Sequence, residues 1–174
     1  VSSAASDVYK RQDYHYDHAD RRAQRQAFAA QVGLAQELDL ALVIHVREAF
    51  EDLFAILKAE GIPDRTVVHC FTGGPAEAEA ALALGLHLSF SGVVTFKNAA
   101  DLREAVLATP AGRFTVETDA PFLAPVPHRG KANLPEYVSV VGEFIAELRG
   151  EEAGNLAATT TSTARSLFGL APSL

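Results

Sequence analysis

Apolar and polar positions along this chain fall into blocks that switch between two periods. Phe28, Val32, Ala35 and Leu38 recur at helical spacing, with Arg22, Arg25, Gln26 and Glu37 off that stripe. Leu40–Val46 (LALVIHV) then runs apolar for the length of one strand, the pattern of a parallel strand covered on both faces. A second helical stripe follows at Phe50, Leu53, Phe54 and Leu57, with Gly61 placed to end it. Thr66–Phe71 (TVVHCF) reads as another buried strand. Gly74-Pro75 opens a third helix, because proline fits a first helical turn, and Gly85 closes it. Leu86–Gly92 (LHLSFSG) is a third strand, and Asn98 is placed to cap a fourth helix that ends near Leu107, before Pro110. Arg113–Asp119 (RFTVETD) is a fourth strand, followed by the proline-rich loop APFLAPVPHRGKANLP. A helix from Pro135 to Leu148 comes next, then one or two short helices with Leu156, Ala164, Leu167 and Phe168 as apolar contacts. The first twelve residues, VSSAASDVYKRQ, show neither period and read as a tail, a leader remnant or a sequence-end artefact, an unrelated or disordered leader to the fold.

Strand and helix thus alternate with a steady step: 24 residues from His45 to His69, 22 from His69 to Ser91 and 28 from Ser91 to Asp119. Such alternation predicts an α/β fold, with a parallel sheet and helices outside it. An open doubly wound sheet and a (β/α)₈ barrel both fit. A barrel takes ~250 residues and the chain has 174, so the expectation is a partial barrel of about four βα units.

The strand ends carry the candidate chemistry. One ends at His45, one at His69 and one at Asp119, and active sites of parallel α/β folds gather at the C-terminal ends of strands. Taken singly, a histidine there is more often an ordinary hydrogen-bonded polar residue. The same placement in three units favours a divalent-metal set of two imidazoles and a carboxylate. Glu117 lies two residues before Asp119 and so on the same face of the strand, one layer deeper, as an acid that orients a ligand or shifts a pKa. A structural acid paired with Arg or Lys is its plainer reading. His128, Arg129 and Lys131 in PHRGK make the most basic short stretch, suited to a phosphate or to solvent alone. Lys97 follows the third strand and is open to the same two readings. His15 and His18 belong to the mouth or to the leader; His87 begins its strand and is structural; Cys70 reads as a small buried apolar residue.

Composition narrows the function classes. Fifteen Lys and Arg against 22 Asp and Glu give a net charge of −7, which argues against a broadly basic nucleic-acid coat but not against a nuclease whose metals supply local positive charge. One cysteine excludes an intrachain disulfide framework and a multi-cysteine zinc site. No apolar run approaches the ~18 residues of a membrane span, and the first residues lack the apolar core of a signal peptide. The simplest compartment is the cytoplasm. Dinucleotide, P-loop, serine-hydrolase and zincin motifs do not occur.

Together VIHVREA, VVHCFTGG, LSFSGVVTFKNA, VETDAPFLAPVPHRGKAN and ATTTSTARSLF resemble the TatD family of metal-dependent deoxyribonucleases, from about Asp13 to Phe168. The resemblance implies a TIM-barrel hydrolase with two divalent ions, Mg, Mn or Zn, at its mouth. It implies His45, His69 and Asp119 as metal ligands, Asp119 and Glu117 as catalytic acids, and Arg129, with its neighbours His128 and Lys131, as phosphate contacts. The implied substrate is DNA or another phosphodiester, with no membrane and no obligate protein partner. Two family features are absent. No His-x-His pair occurs, and the strand reading like GEIGLDY, whose Glu bridges the metals, is matched here only from Asp13-Tyr14, with Tyr9 at the place of that Glu. The expectation is therefore residues 1–12 as an unrelated leader, residues 13–174 as the C-terminal part of a TatD-like barrel domain with N-terminal strands missing, and weakened metal binding and turnover. The alternatives are an amidohydrolase-like deacylase on the same mouth, or a non-catalytic fragment.

Overall fold

A computed structural model describes the backbone of residues 7–13 and the whole of residues 20–170. In chain order the elements are β1 (Asp7–Asp13), α1 (Arg21–Glu37), β2 (Ala41–Arg47), α2 (Phe50–Glu60), β3 (Thr66–His69), α3 (Pro75–Ala83), β4 (His87–Phe90), α4 (Ala100–Ala108), β5 (Phe114–Val116), α5 (Val138–Arg149) and α6 (Ala153–Phe168). A 3₁₀ turn at Gly92–Thr95 follows β4, and another at Pro135–Tyr137 leads into α5.

The five strands are parallel and lie side by side in sequence order, β1-β2-β3-β4-β5. That order separates the two architectures. A doubly wound sheet reverses its strand order at a switch point. Right-handed crossovers that always step the same way instead put every helix on one face and curl the sheet about the other. The chain is a run of the (β/α) barrel, as expected.

The register sorts the side chains between those faces. Leu42, Ile44, Val46, Val68, Leu88, Phe90 and Phe114 meet the helices and are buried with Phe28, Val32, Leu53, Leu57, Val106 and Ile145. Phe50, Phe71, Phe90 and Phe114 form a file of ring contacts across this layer at 5.6, 6.0 and 5.6 Å between centroids. The opposite face carries Val43 and His45, Val67 and His69, His87 and Ser89, and Thr115. His45 pairs with His69, and Ser89 pairs with Thr115. Continuing the pairing of Val68 with Leu88 sets Ser89, not Ser91, beside His69. Ser91 instead approaches Cys70, Oγ to Sγ at 3.2 Å.

Three sequence expectations are corrected. Residues 1–12 do not all lie outside the fold, because Asp7–Asp13 pair with Ala41–Arg47 as an edge strand. Edge pairing draws on backbone N–H and C=O groups, which a polar stretch has as fully as an apolar one. Asn98 is exposed and does not cap α4; Ala99 holds that position, and the Arg103 guanidinium donates to Val94 O and Phe96 O across the junction. The tail forms one 16-residue helix rather than short pieces. Among the described residues no helix is long and apolar enough to cross a membrane.

Candidate metal centre

Residues at and just past the C-terminal ends of β2 to β5 make up the candidate site. β2 delivers His45 and β3 delivers His69, and their rings lie 5.5 Å apart between centroids. Glu117 and Asp119 stand just past β5. His69 Nδ1 lies 2.7 Å from Glu117 Oε1, and His69 Nε2 lies 3.8 Å from Asp119 Oδ1. Ser89, buried on β4, donates its hydroxyl to the second oxygen of Glu117. His69, Glu117 and Asp119 each offer an atom within 4.8 Å of the others, and their side chains are 13, 21 and 26% exposed.

These contacts define roles. A neutral imidazole that donates from Nδ1 to a carboxylate keeps its lone pair on Nε2. Glu117 thus fixes the tautomer of His69 and turns Nε2 toward Asp119. The 3.8 Å between Nε2 and Oδ1 is too long for a hydrogen bond. It is within the span of two ligands that each sit ~2.0–2.2 Å from one ion.

The electrostatics agree. Burial draws the His69 imidazole pKa down, but the hydrogen bond and charge of Glu117, with the charge of Asp119, outweigh it and leave the pKa raised above 6.5. Burial pushes the Asp119 carboxyl up, the charge of His69 offsets part of this, and Glu117 adds to the rise. The Asp119 carboxylate and the His69 lone pair, with His45 beside them and the Glu117 charge behind, are a donor set that a cation relieves, so the residues fit a divalent ion. Cys70, beside His69, is no competitor. Burial pushes its thiol up to about 12, Ser91 lowers it in part, and the charges of Glu117 and Asp119 add to the rise.

The backbone is unusual at this mouth. Glu48 just past β2, Cys70 just past β3, and Asp119 and Leu123 past β5 all have positive φ, at 56, 45, 61 and 56°. Non-glycine residues enter this region where their surroundings hold them, often at functional sites. The loop after Asp119 folds back over the 3₁₀ turn. Val126 N donates to Thr95 Oγ1 at 2.9 Å, and a Cβ on Gly92 would collide with the Leu123 carbonyl and press on Pro125.

The basic loop residues are held apart from one another. His128 stacks flat on Tyr137, with centroids 3.9 Å apart and planes 2° from parallel. The Arg129 guanidinium lies 3.7 Å over the Phe96 ring. Lys131 and Lys97 are exposed. His87 begins β4, with its pKa lowered by burial and by Arg113. His15 and His18 lie outside the described residues, as does the side chain of Tyr9. Sequence reading missed Ser89 and Asn133. Ser89 was signalled only by being a hydroxyl inside an apolar strand, and Asn133 by nothing local.

Residues 12–169 match the family described as "TatD related DNase". The chain is 44% identical over 157 residues to a Bacillus subtilis protein described as "uncharacterized metal-dependent hydrolase YabD", covering 90% of this chain and 62% of that one. It is 39% identical over 165 residues to the "3'-5' ssDNA/RNA exonuclease TatD" of Erwinia tasmaniensis, covering 91% and 63%. The crystal structure of YJJV, a TatD homolog from Escherichia coli K12, superposes with a TM-score of 0.86 at 28% identity, over 95% of this chain and 62% of that chain. The chain therefore spans about 62% of the length of such relatives. Sequence match, strand order and shared fold agree over nearly all of the described residues, and the chain belongs to the TatD-related DNase family.

Proposed function

We propose that this chain carries part of the metal centre of a hydrolase that cleaves nucleic-acid phosphodiesters in the cytoplasm. The observation that carries the reading is the placement of His69 between Glu117 and Asp119, with Nδ1 engaged and Nε2 directed at a second donor. His45, His69 and Asp119 are the residues that would hold a divalent ion, Mg, Mn or Zn, and the intact centre would hold two. When bound, such an ion supplies Lewis-acid polarisation of a phosphoryl oxygen and lowers the pKa of water.

The chain's own residues set the conditions for that chemistry. Glu117, braced by Ser89, keeps the His69 lone pair on Nε2. Asp119, whose basicity is raised by burial and by Glu117, is the outermost carboxylate and accepts a proton from the attacking water. Arg129 and Lys131 bring positive charge to the loop beyond Asp119 for the substrate phosphates, while His128, stacked on Tyr137, stiffens it. The exonuclease description of the Erwinia relative supports nucleic acid as the substrate class. The chain spans about 62% of the length of its relatives, so the intact activity is proposed for the longer protein.

Metal content and DNase activity test the reading, on this chain and on one extended at its N-terminus with a His-x-His strand and a GEIGL segment. Two ions and DNA hydrolysis in the extended chain alone are expected. Equal activity in both would show that His45, His69 and Asp119 suffice, and absence of metal from both would reduce the relationship to one of fold.

A further inference from the structure

We propose that Asn133 is a positioning residue for Asp119, an inference that rests on the metal-centre reading above. Asn133 lies 14 residues beyond Asp119, past the whole basic loop, yet it returns to the same place. Its side-chain amide donates to Thr118 O and to Phe122 O, each at 2.6 Å, and its backbone N–H donates to Pro121 O at 3.0 Å. The two side-chain bonds therefore bracket Asp119, one on the residue before it and one three residues after. Inside the bracket Phe122 N donates back to Asp119 O at 2.9 Å, and Ala120 N donates to Thr118 Oγ1 at 3.2 Å.

Three observations separate this from an ordinary loop contact. Asn133 is only 2% exposed, so its bonds do not compete with water. Its Oδ1 is buried without a hydrogen-bond partner among the described residues, a penalty that an apolar side chain of similar size would avoid. What the asparagine brings in return is its pair of N–H donors, both spent on the carbonyls around Asp119. The bracketed residue is itself in the left-handed region at φ 61°, a conformation uncommon outside glycine, and the two bonds help to hold it there. Asn133 thus supplies that hold, and it sets the direction in which the Asp119 carboxylate faces His69 Nε2.

The test uses Co²⁺ alone as the probe, followed by its visible absorption and by calorimetry, on this chain and on Asn133→Ala, Asp119→Asn and the double variant. Loss of an outer partner of a metal ligand typically weakens affinity ~10–100-fold. Asn133→Ala is expected to weaken Co²⁺ binding by about that factor and to alter the absorption band. Because Asn133 acts through Asp119, adding Asn133→Ala to Asp119→Asn is expected to cause no further loss. Co²⁺ affinity that is unchanged in Asn133→Ala, or that falls by the same factor in both backgrounds, would overturn the proposal and leave the metal centre standing. If the unsubstituted chain binds no Co²⁺, the same comparison is made in the N-terminally extended chain, and failure of that chain to bind Co²⁺ would overturn the metal reading and the proposal with it. If Asn133→Ala does not fold, Asn133→Ser, which retains one donor, carries the same comparison.

Discussion

His69 sits between two carboxylates and answers to both. Its folded pKa is raised, so the stability that it contributes is fully present below its unfolded pKa of about 6.5 and is lost as pH rises through the higher folded value. The metal-free chain is expected to lose thermal stability relative to Glu117→Gln as pH rises above about 6.5, because the variant lacks the partner that raises the pKa. A parallel pH dependence of the two melting temperatures would refute this. Glu117→Gln is also expected to weaken divalent-ion affinity ~10–100-fold, read by calorimetry, through loss of the carboxylate charge that raises the basicity of His69. Cys70 gives an independent check of burial at the same strand end. With its thiol pushed up to about 12, it is expected to react with a disulfide reagent at pH 8 only as fast as the chain opens. Labelling as rapid as that of a free thiol would show the mouth to be looser than described. The sequence singles out the histidines and both acids as candidates because each is a polar residue in or just past an apolar run, where it stands out. Ser89 and Asn133 were not, because their meaning depends on register and on a return contact, and neither is written locally.

Arg149 shows how one side chain joins two elements. It lies near the end of α5, donates from Nη1 to Val106 O and Thr109 O at 2.8 Å each, and sits over the Phe114 ring at 5.2 Å. Those carbonyls lie in the last turn of α4 and at its cap, where a helix runs short of N–H partners. Hydrogen bonds to a charged group are worth ~1.5–3 kcal/mol, so Arg149→Met is expected to destabilise the chain by about 2–3 kcal/mol in urea unfolding. A loss under about 0.5 kcal/mol would show that water replaces the guanidinium at no cost. The core strands were readable as elements because parallel strands covered on both faces are apolar throughout. β1 was not, since an edge strand needs no apolar pattern. The start of α4 was misplaced because the chain enters it from a 3₁₀ turn, where Ala99 rather than a polar side chain stands at the cap.

At the scale of the molecule, the strand order of the described residues leaves the sheet open. Among the described residues β1 and β5 each pair on one side only, and strand edges of this kind readily pair with another chain. Beside β5 a groove of about 540 Å³ runs between the strand and helices α5 and α6, lined by Val116, Val138, Leu156, Ala157 and Ala164 among others. The isolated chain is expected to self-associate as its concentration rises in sedimentation velocity, and Ala157→Glu, which sets a charge in the groove, is expected to reduce that association. Association untouched by the charge would place the contact elsewhere, at β1 for instance. The partial barrel followed from the number of βα units and from chain length; the one-way winding that distinguishes it from a doubly wound sheet appears only once the strands are paired.

The bracket around Asp119 has a consequence for how such proteins diversify. Asn133 fastens the segment to its base, so the stretch from Pro127 to Ala132 hangs from a fixed stem like a cartridge in a holder. Its charge, length and stacking partners are free to vary while the aspartate stays in place. On the proposed reading, recognition of new substrates and retention of the ion would be decoupled, and one could drift without dismantling the other.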